Sequence, residues 1–114
     1  MSLVDIKTLK MNFAGDEDIL KELIQDFKDA KEQMIQEMRD GHTTQDFSLL
    51  ERSTHTLKGV VSNFFAEPLK QKLATLEEMG RKKKIENFEE QMEIISTDIE
   101  TMLEEVDHFL KQNS

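Results

Sequence analysis

An all-α fold, an antiparallel four-helix bundle, is what this sequence predicts, and three observations predict it. Four stretches carry apolar residues at helical spacing, no stretch reads as a strand, and the connections between them are a few residues long. Amphipathic helices joined so briefly become antiparallel neighbours and hide their stripes against one another. At 114 residues the chain is expected to be one domain, residues 1–114, able to bury a single core without covalent staples.

The first long helix is expected over about residues 16 to 40, with Ile19, Leu20, Leu23, Phe27, Ala30, Met34 and Met38 on its apolar face. Asp16 suits its N-cap, Glu17 and Asp18 suit the positive end of its dipole, and Gly41 suits the position just past its end. Thr43 with Asp46 three residues on reads as a capping box for a second helix reaching about Phe64. Pro68 belongs in a first helical turn, Leu69, Leu73 and Leu76 follow on one face, and Gly80 marks the stop. The last helix is expected from about Ile85, with Phe88, Met92, Ile95, Ile99, Met102, Val106 and Phe109 in steps of three and four. The pattern also allows a short extra helix near residues 4 to 11.

Charge and composition exclude several functions. With 24 acidic against 15 basic residues, a net charge of -9 repels a phosphate backbone over most of the surface, so nucleic acid is not an expected partner. The apolar runs are too short to span a membrane, and "MSLVDIKTLK" lacks the apolar stretch of a signal peptide. The absence of cysteine fits a reducing cytosol without requiring one, and a cytoplasmic location is expected.

The stretch "STHTLKGVVSNFF" carries the chemistry. At about 100° per residue, Phe47, Leu50, Thr54, Leu57, Val61 and Phe64 share a core face, and His55 lies about 140° from its middle, facing outward. Glu51, Arg52, Lys58, Gly59 and Ser62 surround His55, being three, four or seven residues away. His42 and His108 read as ordinary surface residues. A metal site is not expected, because Lys58 and Gly59 stand where a second helical ligand would be needed. A nucleophile–base pair is not expected either, since Ser62 is two turns away. Histidine as the nucleophile itself remains. A neutral imidazole nitrogen accepts a phosphoryl group, Lys58 supplies a cation one turn away, and Gly59 removes a side chain from the approach of a bulky donor.

"HTLKG" resembles the phosphoacceptor signature of histidine-containing phosphotransfer (HPt) domains, the relay modules of two-component signalling. Such a motif arises by chance in about one chain of this length in a hundred, and the context adds to it. "FAGDEDILKELIQDF" is similar to the family's first helices and "LKQKLATLEEMGR" to the helix after its active histidine, so the resemblance covers about residues 4 to 110. It implies the four-helix bundle again. It also implies His55 as the phosphorylated residue, Lys58 as the phosphate-supporting lysine, Gly59 as the access glycine and Arg81 as a basic residue near the site. Glu77 stands where the family has a glutamate or glutamine able to accept a hydrogen bond from the far imidazole nitrogen; a solvated glutamate is the equal alternative. The chain departs from the family where Val60 and Val61 replace small residues and Phe65 replaces a helix-ending glycine. A left-handed phenylalanine is strained, so a different helix end is expected there.

The resemblance implies a phosphorelay carrier, not an enzyme of net turnover. Its partners would be a response-regulator receiver domain, a sensor histidine kinase, or both. It would act as a monomer, with Arg52 and Ser62 beside the phosphate or partner and no cofactor of its own, any magnesium belonging to the receiver. Two other readings stand: a helical adaptor without phosphorylation, and the phosphoacceptor domain of a chemotaxis-type kinase cut from a longer chain. The basic run Arg81 to Lys84 is either a solvated loop or a steering patch for an acidic receiver pocket.

Overall fold

The computed structural model describes residues 2–112, so residues 1, 113 and 114 of the expected domain lie outside the described residues. Five helices follow in order: α1 (Ile6–Phe13), α2 (Glu17–Thr43), α3 (Phe47–Ser62), α4 (Glu67–Arg81) and α5 (Phe88–Gln112). Helices α2 to α5 form the antiparallel bundle, with α3 between α2 and α4 and α5 closing the ring against α4 and α2. The short α1 is the extra N-terminal helix the pattern allowed. Its Leu9, and Val4 before it, insert into the common core.

The expected seam of α5 is buried from Phe88 to Phe109, joined by Leu103 and Leu110. Ile85, expected in that helix, instead lies in the preceding connection and packs half-buried on the core. The left-handed Asn87 (φ 55°) turns the chain there, so α5 starts at Phe88. The stripe of α2 is rotated from its expected position: Ile24 is buried while Ile19 is half exposed and Ala30 faces solvent. The buried line runs instead through Leu20, Ile24, Phe27 and Met38. Midway along α2, Lys31 occupies the inward side and donates to Glu100 of α5 at 3.1 Å, and Lys28 pairs with Asp107 at 2.9 Å. The hydrogen bond to Glu100 is the main reason that the Lys31 ammonium is held above the ordinary lysine value.

Several helix ends correct the sequence reading. Asp16 occupies the N-cap position of α2 without a side-chain cap bond. The proposed Thr43 cap is wrong: Thr43 is the last residue of α2, and Asp46 itself caps α3 by accepting from the Leu49 amide at 3.0 Å. Gly41 and Gly80, read as stops, lie inside α2 and α4. The turns rest instead on left-handed Gln45, Phe65 and Lys83, with Gly15 (φ 80°) alone among the glycines in that conformation.

Phe65 adopts φ 56° despite its side chain, three residues past the end of α3 at Ser62 rather than about Phe64. Such strain persists where surroundings over-determine it. Here the Phe65 ring packs on the core and its carbonyl accepts from the Asp5 amide at 2.9 Å. The strap leading to Asp5 is itself held at Glu105 of α5, which accepts from the Leu3 and Val4 amides at 3.0 and 2.7 Å.

The cap assignment has a direct consequence. Asp46→Ala removes an N-cap bond and should lower stability by about 1 kcal/mol, whereas Thr43→Ala should leave it within a few tenths. Urea unfolding of the two variants decides between them, and the reverse order would restore Thr43 as the cap.

Candidate functional site

Helix α3 buries Leu50, Leu57 and Val61, so its opposite face is left outside the core. Ser53 and Thr54 are also buried, and their hydroxyls are satisfied within the helix by donating to the carbonyls of Leu49 and Leu50 at 2.8 and 2.7 Å. His55 follows on the outward face with its side chain 68% exposed. Its Nδ1 lies 2.7 Å from Oε2 of Glu77, a carboxylate of α4 whose side chain is only 7% exposed. Lys58 donates from Nζ to the other oxygen of the same carboxylate at 2.5 Å.

A buried carboxylate needs partners for both oxygens, and Glu77 finds them on one neighbouring helix. Burial is the largest influence on its acidity and pushes its pKa up. The hydrogen bonds from Lys58 and His55 together outweigh burial and hold Glu77 below the ordinary carboxylate value. An ionised carboxylate only accepts, so the hydrogen in this contact belongs to Nδ1, and a neutral His55 carries its lone pair on Nε2.

The remaining residues singled out from sequence divide into two groups. Arg81 reaches the cluster: its Nη2 is 3.9 Å from Glu77 and its Nε 3.3 Å from Glu51, and it also pairs with Glu78. Gly59 is exposed, and a Cβ built on it would meet nothing within 4 Å, so it does not serve packing within the chain. Arg52 lies beside His55 in a groove lined from α2, α3 and α4, with its Nε donating to the Ser48 carbonyl at 3.4 Å. Ser62 is turned back on its own helix, its hydroxyl donating to the Lys58 carbonyl at 2.9 Å. In the basic run, Lys82 faces Glu78 at 3.7 Å and Lys84 faces Glu86 at 3.9 Å, so both lie beside the chain's own carboxylates.

Two features escaped the sequence. Glu37 of α2 lines the groove beside His55, and nothing local relates positions so far apart. His42 is no ordinary surface residue: its ring stacks on Phe88 with centroids 3.9 Å apart and planes 7° from parallel. An aromatic at the start of the neighbouring helix was the only available signal. Among the described residues no group of three or more His, Cys, Asp or Glu is arranged to hold a metal, and no helix is long and apolar enough to cross a membrane.

An exposed histidine anchored by a buried carboxylate on an antiparallel helical bundle defines the class of module. The family model of the Hpt domain matches residues 22–109, and the chain belongs to that family, whose members carry phosphoryl groups on histidine in two-component phosphorelays with receiver domains and histidine kinases. No curated protein and no solved structure matches the chain.

The acidity of Glu77 fixes a pH dependence. A carboxylate whose folded pKa lies below its unfolded value favours the folded state above that unfolded value, here about 4.5, and the contribution is lost as pH falls through the folded value. The parent should therefore lose stability as pH is lowered below about 4.5 more steeply than Glu77→Gln, which has no such charge to titrate. Thermal unfolding from pH 7 to 3 measures the difference, and parallel profiles would mean that Glu77 is not held as an anion.

Proposed function

We propose that this chain is a phosphorelay carrier in which His55 accepts a phosphoryl group on Nε2 and passes it to the aspartate of a receiver domain. The donor is a phosphorylated receiver aspartate or a histidine kinase. One observation carries the reading: His55 is 68% exposed while its Nδ1 is tied at 2.7 Å to buried Glu77. The lone pair therefore sits on the nitrogen opposite the anchor, and in-line attack needs that orientation.

In transfer from an acyl phosphate, the Nε2 lone pair forms the N–P bond as the bond from phosphorus to the aspartate oxygen breaks. The aspartate departs as a carboxylate. Positive charge develops on the ring, and Glu77 stabilises it while retaining the Nδ1 hydrogen bond, the part a carboxylate plays beside a reacting histidine. Return transfer to a second receiver reverses these bonds. Lys58 acts here chiefly through Glu77, since its ammonium lies at that carboxylate. Arg52, in the groove beside His55 and not paired with a carboxylate there, supplies a mobile cation for the phosphoryl oxygens.

Incubation with a phosphorylated receiver should label the chain, with the label lost in acid and stable in alkali. His55→Gln should abolish it, and equal labelling of that variant would refute the assignment. An adaptor would bind its partner unaltered after the same substitution.

Gly59 gives an independent check. An interior helical glycine costs about 0.5 to 1 kcal/mol relative to alanine. Gly59→Ala should thus raise the melting temperature while slowing transfer, and Gly59→Leu should nearly stop transfer in a folded bundle. Unfolding and transfer measured on the three proteins test this; a folded Gly59→Leu with the parent's rate would remove steric access as the reason for the glycine.

A further inference from the structure

Gly41 and Gly80 meet the same short stretch of α3, one turn before His55, from the two helices on either side. A Cβ built on Gly41 of α2 would lie 2.7 Å from the Leu50 nitrogen and 2.9 Å from its Cα. One built on Gly80 of α4 would lie 3.5 Å from the Glu51 nitrogen and 3.6 Å from its Cα. We propose that these two glycines form a slot that sets the position of α3 between α2 and α4, and through it the hydrogen bond from His55 to Glu77. Gly41 is the positioning residue for His55, and Gly80 leaves the clearance into which α3 can move. Their bearing on transfer rests on the phosphoacceptor reading above.

The nearest atoms met on α3 are backbone, which cannot swing aside as the end of a side chain can. Any residue larger than glycine at position 41 therefore drives α3 away from α2. The space left by Gly80 determines how far α3 can move toward α4. What lies on α4 is Glu77, already 2.7 Å from His55 and 2.5 Å from Lys58, so the contact has little slack. A displacement of about 1 Å, whether it compresses the contact or slides the ring past the carboxylate, takes such a pair outside hydrogen-bond geometry. Misplacement on that scale slows a transfer step by about 100-fold. Glu51, the residue that Gly80 faces, also holds Arg81 at 3.3 Å, so the same movement disturbs the nearby cation. Gly59 provides the contrast, since a side chain there would enter open space.

A purely structural role would lower stability without reaching the ring, so the test reads the ring. Nitrogen NMR of the unphosphorylated parent, labelled in histidine, should find the His55 hydrogen on Nδ1. In Gly41→Ala that signal should shift toward the tautomer mixture of a free imidazole, and transfer from a phosphorylated receiver should fall by about 100-fold. Gly80→Ala makes an ordinary contact and should keep the parent's ring signal. The double variant closes the slot from both sides, and its effect should exceed the sum of the single changes, as coupled neighbours do. If Gly41→Ala does not fold, Gly80→Val presses the Glu51 backbone from the other side and should shift the ring signal in its place.

A folded Gly41→Ala or Gly80→Val with the parent's ring signal and only a lowered melting temperature would overturn the slot. A parent that has the Nδ1 hydrogen but takes no phosphoryl group would overturn the phosphoacceptor reading, while the ring signals of the variants still support the slot.

Discussion

A carboxylate taken out of water must be met by donors, and Glu77 is met by two side chains of a single neighbouring helix. His55 and Lys58 sit three residues apart on α3, so they are neighbours on that helix's surface and reach the two oxygens of one carboxylate together. The pair ties α3 to α4 at this point and orients the imidazole. Most other features near the site bear on the spacing that this three-residue cluster needs: Gly80 lets α4 lie close to Glu51, and Arg81 bridges the same two helices. The ring is held at one nitrogen and solvent-facing over most of its surface, an arrangement that a histidine buried in the core could not offer.

The N-terminal strap shows how a local conflict is resolved at a distance. Phe65 is left-handed at the joint between α3 and α4, a conformation easiest for glycine, yet its ring contributes to the core and its carbonyl has a donor in Asp5. Asp5 also caps α1 by accepting from the Thr8 amide at 3.1 Å. Burial pushes Glu105 up, but the donors from Val4, Leu3 and Ser2 more than offset it and hold it below the usual carboxylate value. The strained joint is thus tied to α5 through a few residues of non-helical chain. A sequence reading that looks only at Phe65 sees the strain and not the restraint.

The same division separates what was legible in the sequence from what was not. Periodicity located all four bundle helices because burial repeats with the helical turn, and it placed Leu50, Leu57 and Val61 inward and His55 outward by angle alone. It failed at Ile19 and Ile24, because which side of α2 turns inward depends on packing against the other helices, which spacing within α2 does not show. Glycine misled for a related reason. Gly41 resembles a helix stop because a stop and a close helix crossing both favour the residue without a side chain, and only the neighbouring helix distinguishes them. At the site, the motif brought out His55, Lys58 and Gly59. It could not place Glu37, nor reveal that Lys58 is committed to Glu77, because both depend on which helices become neighbours.

That commitment of charge bears on how a relay module would behave. Lys58 and Arg81 both face carboxylates of the chain itself, and Lys82 faces Glu78. A phosphoryl group arriving at His55 adds between one and two negative charges to a cluster in which Lys58 and Arg81 are already matched by carboxylates. If those cations were free, the phosphorylated state would be strongly stabilised and onward transfer slowed by the same free energy. A carrier needs the opposite, since it must give up the group as readily as it takes it. The carboxylates around His55 therefore do two jobs in the proposed relay. In that relay Glu77 would orient the ring for attack, and Glu51, Glu77 and Glu78 would offset the cations around the product.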